Sequence, residues 1–222
     1  MWTSEAIGGN GVLSKGWAVA NGPFANWPLA HNGGSQPGVL QRQLGMFVGR
    51  LPSEQAREQM MAQSVYDAEP WDENRDVESL RSILEGWFVA SDGSRLHNQV
   101  HVWVGGSMLP GTSPNDPVFF MHHCMVDKLW ADWQLAQKAT NPDLAASYAP
   151  HTGGPVGHNL DDPMFPWVEA GNLVTPMQML DHHALGFQYD NELKLATEES
   201  VVARTEPATR RAATTAPECQ YD

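Results

Sequence analysis

The chain has 222 residues, 41% apolar and 18% charged, with nine Trp and seven Phe; that length and aromatic load belong to one folded domain with a sizeable core, not to a disordered polymer. Thirteen Lys and Arg stand against 26 Asp and Glu, a formal net charge of −13, which repels phosphate backbones and anionic membranes and excludes nucleic acid as an expected partner. No window approaches the roughly 18 consecutive apolar residues of a membrane span, and Met1-Trp2-Thr3-Ser4-Glu5 lacks the basic and apolar regions of a secretion signal. No membrane partner is expected, and the chain reads as cytoplasmic or as exported with a partner. Cys124, inside an apolar run, and Cys219, near the C terminus, sit in settings too different for a disulfide framework, and Cys124 is expected in the core.

In chain order, residues 1 to about 35 are dense in turn formers (Gly8-Gly9-Asn10-Gly11, Asn21-Gly22-Pro23, Asn32-Gly33-Gly34) and predict an irregular wrapped segment, held down by Trp2, Trp17, Phe24 and Trp27. Over 37–48, Val39, Leu40, Leu44, Phe47 and Val48 have helical spacing; 52–65, opened by Ser53 as an N-cap, predicts a second helix. The stretch 66–78 gathers Asp67, Glu69, Asp72, Glu73, Asp76 and Glu78 around Pro70-Trp71 and reads as a solvated turn before a helix over 77–89. Two further helices are expected over 96–104 and 117–137, the second with Pro117 in its first turn after Asp116 as a cap. Beyond them lie loop, a short helix over 176–183, a strand fragment at Phe187-Gln188-Tyr189, and a tail with no apolar period. The expected organisation is one mainly α domain over 1–190, a helical-bundle core with long irregular loops, followed by a disordered tail over 191–222.

Placement makes the nine histidines informative. His97 and His101, four apart, fall on one helical face, so two imidazoles can meet at one metal ion. His122-His123 sits among Phe119, Phe120 and Trp130 on the longest predicted helix, where an unpartnered imidazole carries a desolvation cost. Neighbouring helical side chains diverge by about 100°, so only one of this pair points at any given site. Three imidazoles suit copper or zinc and not calcium-type cations. His31, His151, His158, His182 and His183 read as surface residues or residues behind a site.

The runs Leu96-His97-Asn98-Gln99-Val100-His101-Val102-Trp103-Val104-Gly105-Gly106-Ser107-Met108, Ser113-Pro114-Asn115-Asp116-Pro117-Val118-Phe119-Phe120-Met121-His122-His123 and Val126-Asp127-Lys128-Leu129-Trp130-Ala131 closely resemble the second copper-binding region of bacterial tyrosinases. A weaker likeness extends over roughly residues 1–190, through Asn26-Trp27-Pro28, Leu84-Glu85-Gly86-Trp87 and Pro166-Trp167. The resemblance implies a tyrosinase-type bundle, His97, His101 and His123 as the three ligands of one copper, called CuB in the family, and His122 as a neighbouring non-ligand. It implies Glu85 and Asn98 as a pair orienting a water that takes the phenol proton. The loop 107–113 between the two histidine helices is expected to overhang the metal, which makes Met108 and Thr112 candidates for substrate-gating contacts.

The family couples two coppers and O2 to hydroxylate monophenols and oxidise catechols to o-quinones. Here only His31 precedes His97, so the first copper site (CuA) is expected to be absent and the chain truncated, internally started or half of a split protein. A phenol oxidase completed by a CuA-bearing segment, possible help from a copper chaperone, and a non-catalytic or mononuclear CuB-like remnant are the readings in play. Zinc hydrolysis is weaker, because no H-E-x-x-H motif occurs. Without a covering half, Trp103, Phe119, Phe120 and Trp130 are expected to be partly uncovered.

Overall fold

A computed structural model describes residues 1–30, 38–72, 76–138, 141–171 and 173–192, which fall into two compact units, the first ending at Asp181 and the second beginning at His182. His31 and, from residue 193, the predicted tail lie outside the described residues. The fold is mainly helical, as expected: α1 (Glu54–Met61), α2 (Leu80–Glu85), α3 (Leu96–Val104), α4 (Val118–Lys138) and α5 (Pro176–Met179), joined by long irregular loops and short 3-10 turns. No helix among the described residues is long and apolar enough to cross a membrane.

Local chemistry sets the helix ends. The Ser53 hydroxyl accepts from the Ala56 N–H at the start of α1, and Ser79 and Ser82 form a reciprocal capping box on α2, which Gly86 closes in the left-handed region at φ 85°. At the start of α4 a carboxylate oxygen of Asp116 accepts from the Val118 N–H at 3.0 Å. Within the N-terminal loops, β1 (Gly11–Val12) pairs antiparallel with β2 (Ala18–Val19).

Two predicted elements do not form. Residues 38–43 are extended, with bridges between Ala18 and Gln41 and between Pro28 and Val39, and 44–48 turn and bend. Gln43 and Gly45 donate to the carbonyls of Val104 and Trp103 at 2.8 and 2.7 Å, so tertiary hydrogen bonds with α3 replace helical ones. This close approach requires Gly106, at φ 51°, where a Cβ would stand 2.3 Å from the Gln41 carbonyl oxygen. Residues 187–189 form no strand; Phe187 N–H instead donates to the His182 carbonyl, closing a turn. Of the acidic run expected at the surface, Asp67 is buried, held by the Arg81 guanidinium at 2.6 Å.

The core of the first unit is in two clusters. One joins α1, α2 and the ends of α3 and α4 through Met60, Leu80, Ile83, Leu84, Leu96 and Trp133; the other joins the N-terminal loops to the opposite ends of the same two helices through Ile7, Val104, Met108 and Val118. Both histidine-bearing helices are therefore pinned at both ends, and the histidines fall between the pins.

Cys124 is exposed, contrary to expectation. The 3.6-residue period turns His122, Val126 and Trp133 inward and leaves Phe120, Met121, Cys124 and Met125 on the opposite face of α4. Phe120 is 62% exposed, whereas Trp103, Phe119 and Trp130 are half-buried.

Candidate metal centre

Four imidazoles meet between α3 and α4. Nε2 of His97 lies 3.1 Å from Nε2 of His101 and 3.1 Å from Nε2 of His123. The rings stand nearly perpendicular, with interplanar angles of 74° and 75° to His97, so their nitrogen lone pairs converge from different directions.

The opposite ring nitrogens fix the proton positions. Nδ1 of His101 lies 2.8 Å from the Met108 carbonyl and Nδ1 of His123 lies 2.9 Å from the Phe119 carbonyl. A carbonyl can only accept, so each neutral ring carries its proton on Nδ1 and presents a bare Nε2 to the centre. Nδ1 of His97 stands 3.1 Å from a carboxylate oxygen of Glu85. That approach is off the direction of an aligned hydrogen bond and leaves the buried Nδ1 without a formal partner, so we read it as an electrostatic contact. Bare lone pairs held 3.1 Å apart repel unless a proton or a cation lies between them. This donor set, backed by two carbonyls and a carboxylate, fits a bound transition-metal ion such as copper or zinc.

A ring nitrogen of His122 also comes within 4.8 Å of ligand atoms of His97 and His101, so geometry alone offers two candidates for a third donor. The His122 ring is stacked on that of His97 at 8°, and its Nε2 donates to the His97 carbonyl at 3.1 Å. An ion in the plane of the His97 ring thus lies outside the plane of the His122 ring, which favours His123.

Burial pushes His101, His122 and His123 below the ordinary histidine value of 6.5, His122 to about 3, with neighbouring histidines adding to the effect. All three are neutral and available to metal at neutral pH. Glu85 titrates below its ordinary value: burial opposes ionisation, but His97, Arg81 and His123 together outweigh it. A consequence for the metal-free protein follows by linkage. Between pH 6.5 and about 3 the unfolded chain binds protons at His122 that the folded chain refuses, so stability is full above pH 6.5 and is lost as pH falls through this window. Each pKa unit is worth about 1.4 kcal/mol, making the loss of the order of a few kcal/mol. Thermal melts of the metal-free chain should show the midpoint falling steadily from pH 7 to pH 4, and H122Q should flatten the dependence; an unchanged slope in H122Q would assign the effect elsewhere.

Beside the cluster opens a cavity of about 730 Å³, lined by His97, Asn98, His101, Val102, Leu109, Pro110 and Gly111 among others. Asn98 thus faces the same space as two of the imidazoles. Glu85 lines a separate cavity of about 200 Å³ with Tyr66, Arg81, His123 and Trp130, whose buried Nε1 has no partner. The expected gating pair needs correction. Met108 is fully buried in the core, and Thr112 is exposed outside the cavity lining. Their neighbours Leu109, Pro110 and Gly111 form the wall, while Met108 acts on the centre through its carbonyl. Main-chain groups such as the Met108 and Phe119 carbonyls have no side-chain signature, so the sequence could not single them out.

The family described as the common central domain of tyrosinase matches residues 1–136. The chain belongs to the tyrosinase family. It is 40% identical to the tyrosinase of Streptomyces glaucescens over 188 residues, 83% of this chain and 62% of that protein. Against the tyrosinase of Streptomyces antibioticus it is 40% identical over 186 residues, again 62% of the relative. The grixazone synthase of Streptomyces griseus is 34% identical over 206 residues, 82% of this chain and 64% of that enzyme. The chain therefore spans under two thirds of these curated relatives. The family uses copper, and the imidazole cluster of this chain suits that ion.

Proposed function

We propose that this chain supplies one three-histidine copper site, with His97, His101 and His123 as ligands, of a phenol oxidase that hydroxylates monophenols or oxidises catechols to o-quinones with O2. A second copper site is contributed by histidines outside these 222 residues, from a complementary segment or partner chain. The observation that carries the reading is the approach of Nε2 of His101 and Nε2 of His123 to within 3.1 Å of Nε2 of His97 in a chain of the tyrosinase family.

Copper supplies the redox chemistry towards O2. The residues of the chain do the rest. The Met108 and Phe119 carbonyls hold the His101 and His123 rings in the ligating tautomer, and the Glu85 carboxylate stands 3.1 Å from Nδ1 of His97. The cavity beside His97 and His101 is roomy enough for a planar phenol, with Leu109 and Pro110 as an apolar wall. Asn98 faces that cavity and Glu85 touches His97 from the separate cavity that it lines with Tyr66 and Arg81; by likeness to the family, the pair orients the water that takes the phenol proton. The stripe Phe120, Met121, Cys124 and Met125 offers the complementary segment an apolar helix face.

Catechol oxidation by the copper-loaded chain alone, compared with the chain co-expressed with the part of a Streptomyces tyrosinase that it does not span, tests this. Turnover is expected only from the pair. Turnover by the chain alone would remove the need for a second segment, and none from either, with both folded and copper-loaded, would leave a mononuclear copper-binding module.

A further inference from the structure

We propose that His182, His183 and Glu192 form a second metal site, which takes one borderline divalent cation, Zn2+ or Cu2+, through two imidazole Nε2 atoms and a carboxylate oxygen. The proposal concerns the second compact unit alone and does not depend on the reading of the three-histidine centre.

The donors already meet. Nε2 of His182 lies 2.9 and 3.1 Å from the two Glu192 oxygens, and Nε2 of His183 lies 2.8 Å from one of them. The three ligand atoms fall within 4.8 Å of one another. Zinc sits about 2.0–2.2 Å from imidazole nitrogen and carboxylate oxygen, so atoms at these separations need to open by only a fraction of an ångström to surround it.

The local chain explains the convergence. Gly186, at φ 90°, turns the backbone, with the Gly186 N–H on the His183 carbonyl and the Phe187 N–H on the His182 carbonyl. The Glu192 N–H donates to the Tyr189 carbonyl, which brings its side chain back over the two histidines. The rings of Phe187 and Tyr189 pack 5.5 and 5.8 Å from that of His182, sheltering one side. The His182 and Glu192 side chains are 15% and 11% exposed, while that of His183 is 51% exposed, leaving an open side for an entering ion and for water as a fourth ligand.

Nε2 of His182 reaches both Glu192 oxygens and Nε2 of His183 reaches one of them, so two nitrogens and an anionic oxygen stand side by side. The Glu192 carboxyl stays below its ordinary range: burial opposes ionisation, but the two imidazoles outweigh it. A donor set of two nitrogens and one anionic oxygen favours Zn2+ and Cu2+ over Cu+, which prefers softer ligands. A chain with net charge −13 also attracts cations to its surface.

Zinc binding to the full chain, titrated against a chromophoric chelator, tests the site. Wild type is expected to bind two Zn2+ per chain and H97Q/H101Q to keep one. H183Q, altered at the half-exposed and structurally least demanding ligand, should weaken one of the two wild-type sites by at least about tenfold and leave the other unchanged, and E192Q should do the same. Should H97Q/H101Q fold poorly, the comparison of wild type with H183Q and E192Q decides alone. Equal zinc stoichiometry and affinity in wild type, H183Q and E192Q would overturn the proposal and leave these residues as a hydrogen-bonded clasp.

Discussion

Substituting any one of His97, His101 and His123 with alanine should lower copper affinity at the three-histidine centre by more than the roughly 10–100-fold that follows loss of a group behind the ligands. E85Q should fall inside that 10–100-fold range, because the carboxylate orients His97 from 3.1 Å without reaching the centre. H122Q should leave copper stoichiometry unchanged, since the His122 ring lies parallel to that of His97 and its Nε2 is engaged by the His97 carbonyl. The comparison is made in a chain also carrying H182Q and H183Q, so that the C-terminal cluster holds no copper, and is read as copper retained against a competing chelator. If H122A loses copper while H123A keeps it, the two adjacent histidines have been assigned the wrong way round.

R42M should be the most destabilising single substitution away from the histidines. Arg42 and Asp116 are both fully buried, joined by two hydrogen bonds of 2.8 and 2.7 Å, and Arg42 also donates to the Ile7 carbonyl at 2.7 Å. Asp116 in turn caps α4 through the Val118 N–H, one residue before the Phe119 carbonyl that orients His123. Removing the guanidinium leaves a buried carboxylate without its counter-charge, at a cost of about 3–5 kcal/mol. That is a large share of the roughly 5–15 kcal/mol that stabilises most domains, and at about 2–4 °C per kcal/mol the melting temperature should drop by about 6–20 °C. The double variant R42M/D116N, which removes both charges but keeps an oxygen to cap α4, should recover part of the loss. A melting temperature for R42M within about 2 °C of wild type, less than about 1 kcal/mol on this scale, would show that the pair contributes nothing net.

Histidine spacing is local chemistry. A four-residue interval on a helix brings His97 and His101 together whatever the surroundings, and the bounds of α3 agree with the sequence pattern because apolar and polar residues alternate there at the helical period. The same rule failed at 38–48, where the apolar spacing was equally good but the backbone found its partners on α3 and in the N-terminal loops. It failed again for Cys124, because an apolar run on a long helix has two faces and pattern alone does not say which one meets the core. Met108 was misread for a related reason: a loop between two ligand helices was expected to overhang the metal, but the loop turns its side chain into the core and its carbonyl towards His101.

Taken by itself, the sequence determined the helical class, the family likeness and the imidazole pair on α3, all of which rest on interactions between residues close along the chain. The tertiary structure decided how His122 and His123 stand against His97, which carbonyls meet their ring nitrogens, that Arg42 reaches Asp116 across the core, and that His182 and His183 meet Glu192. These depend on groups separated along the chain, or on main-chain atoms common to every residue, and only packing fixes where they point.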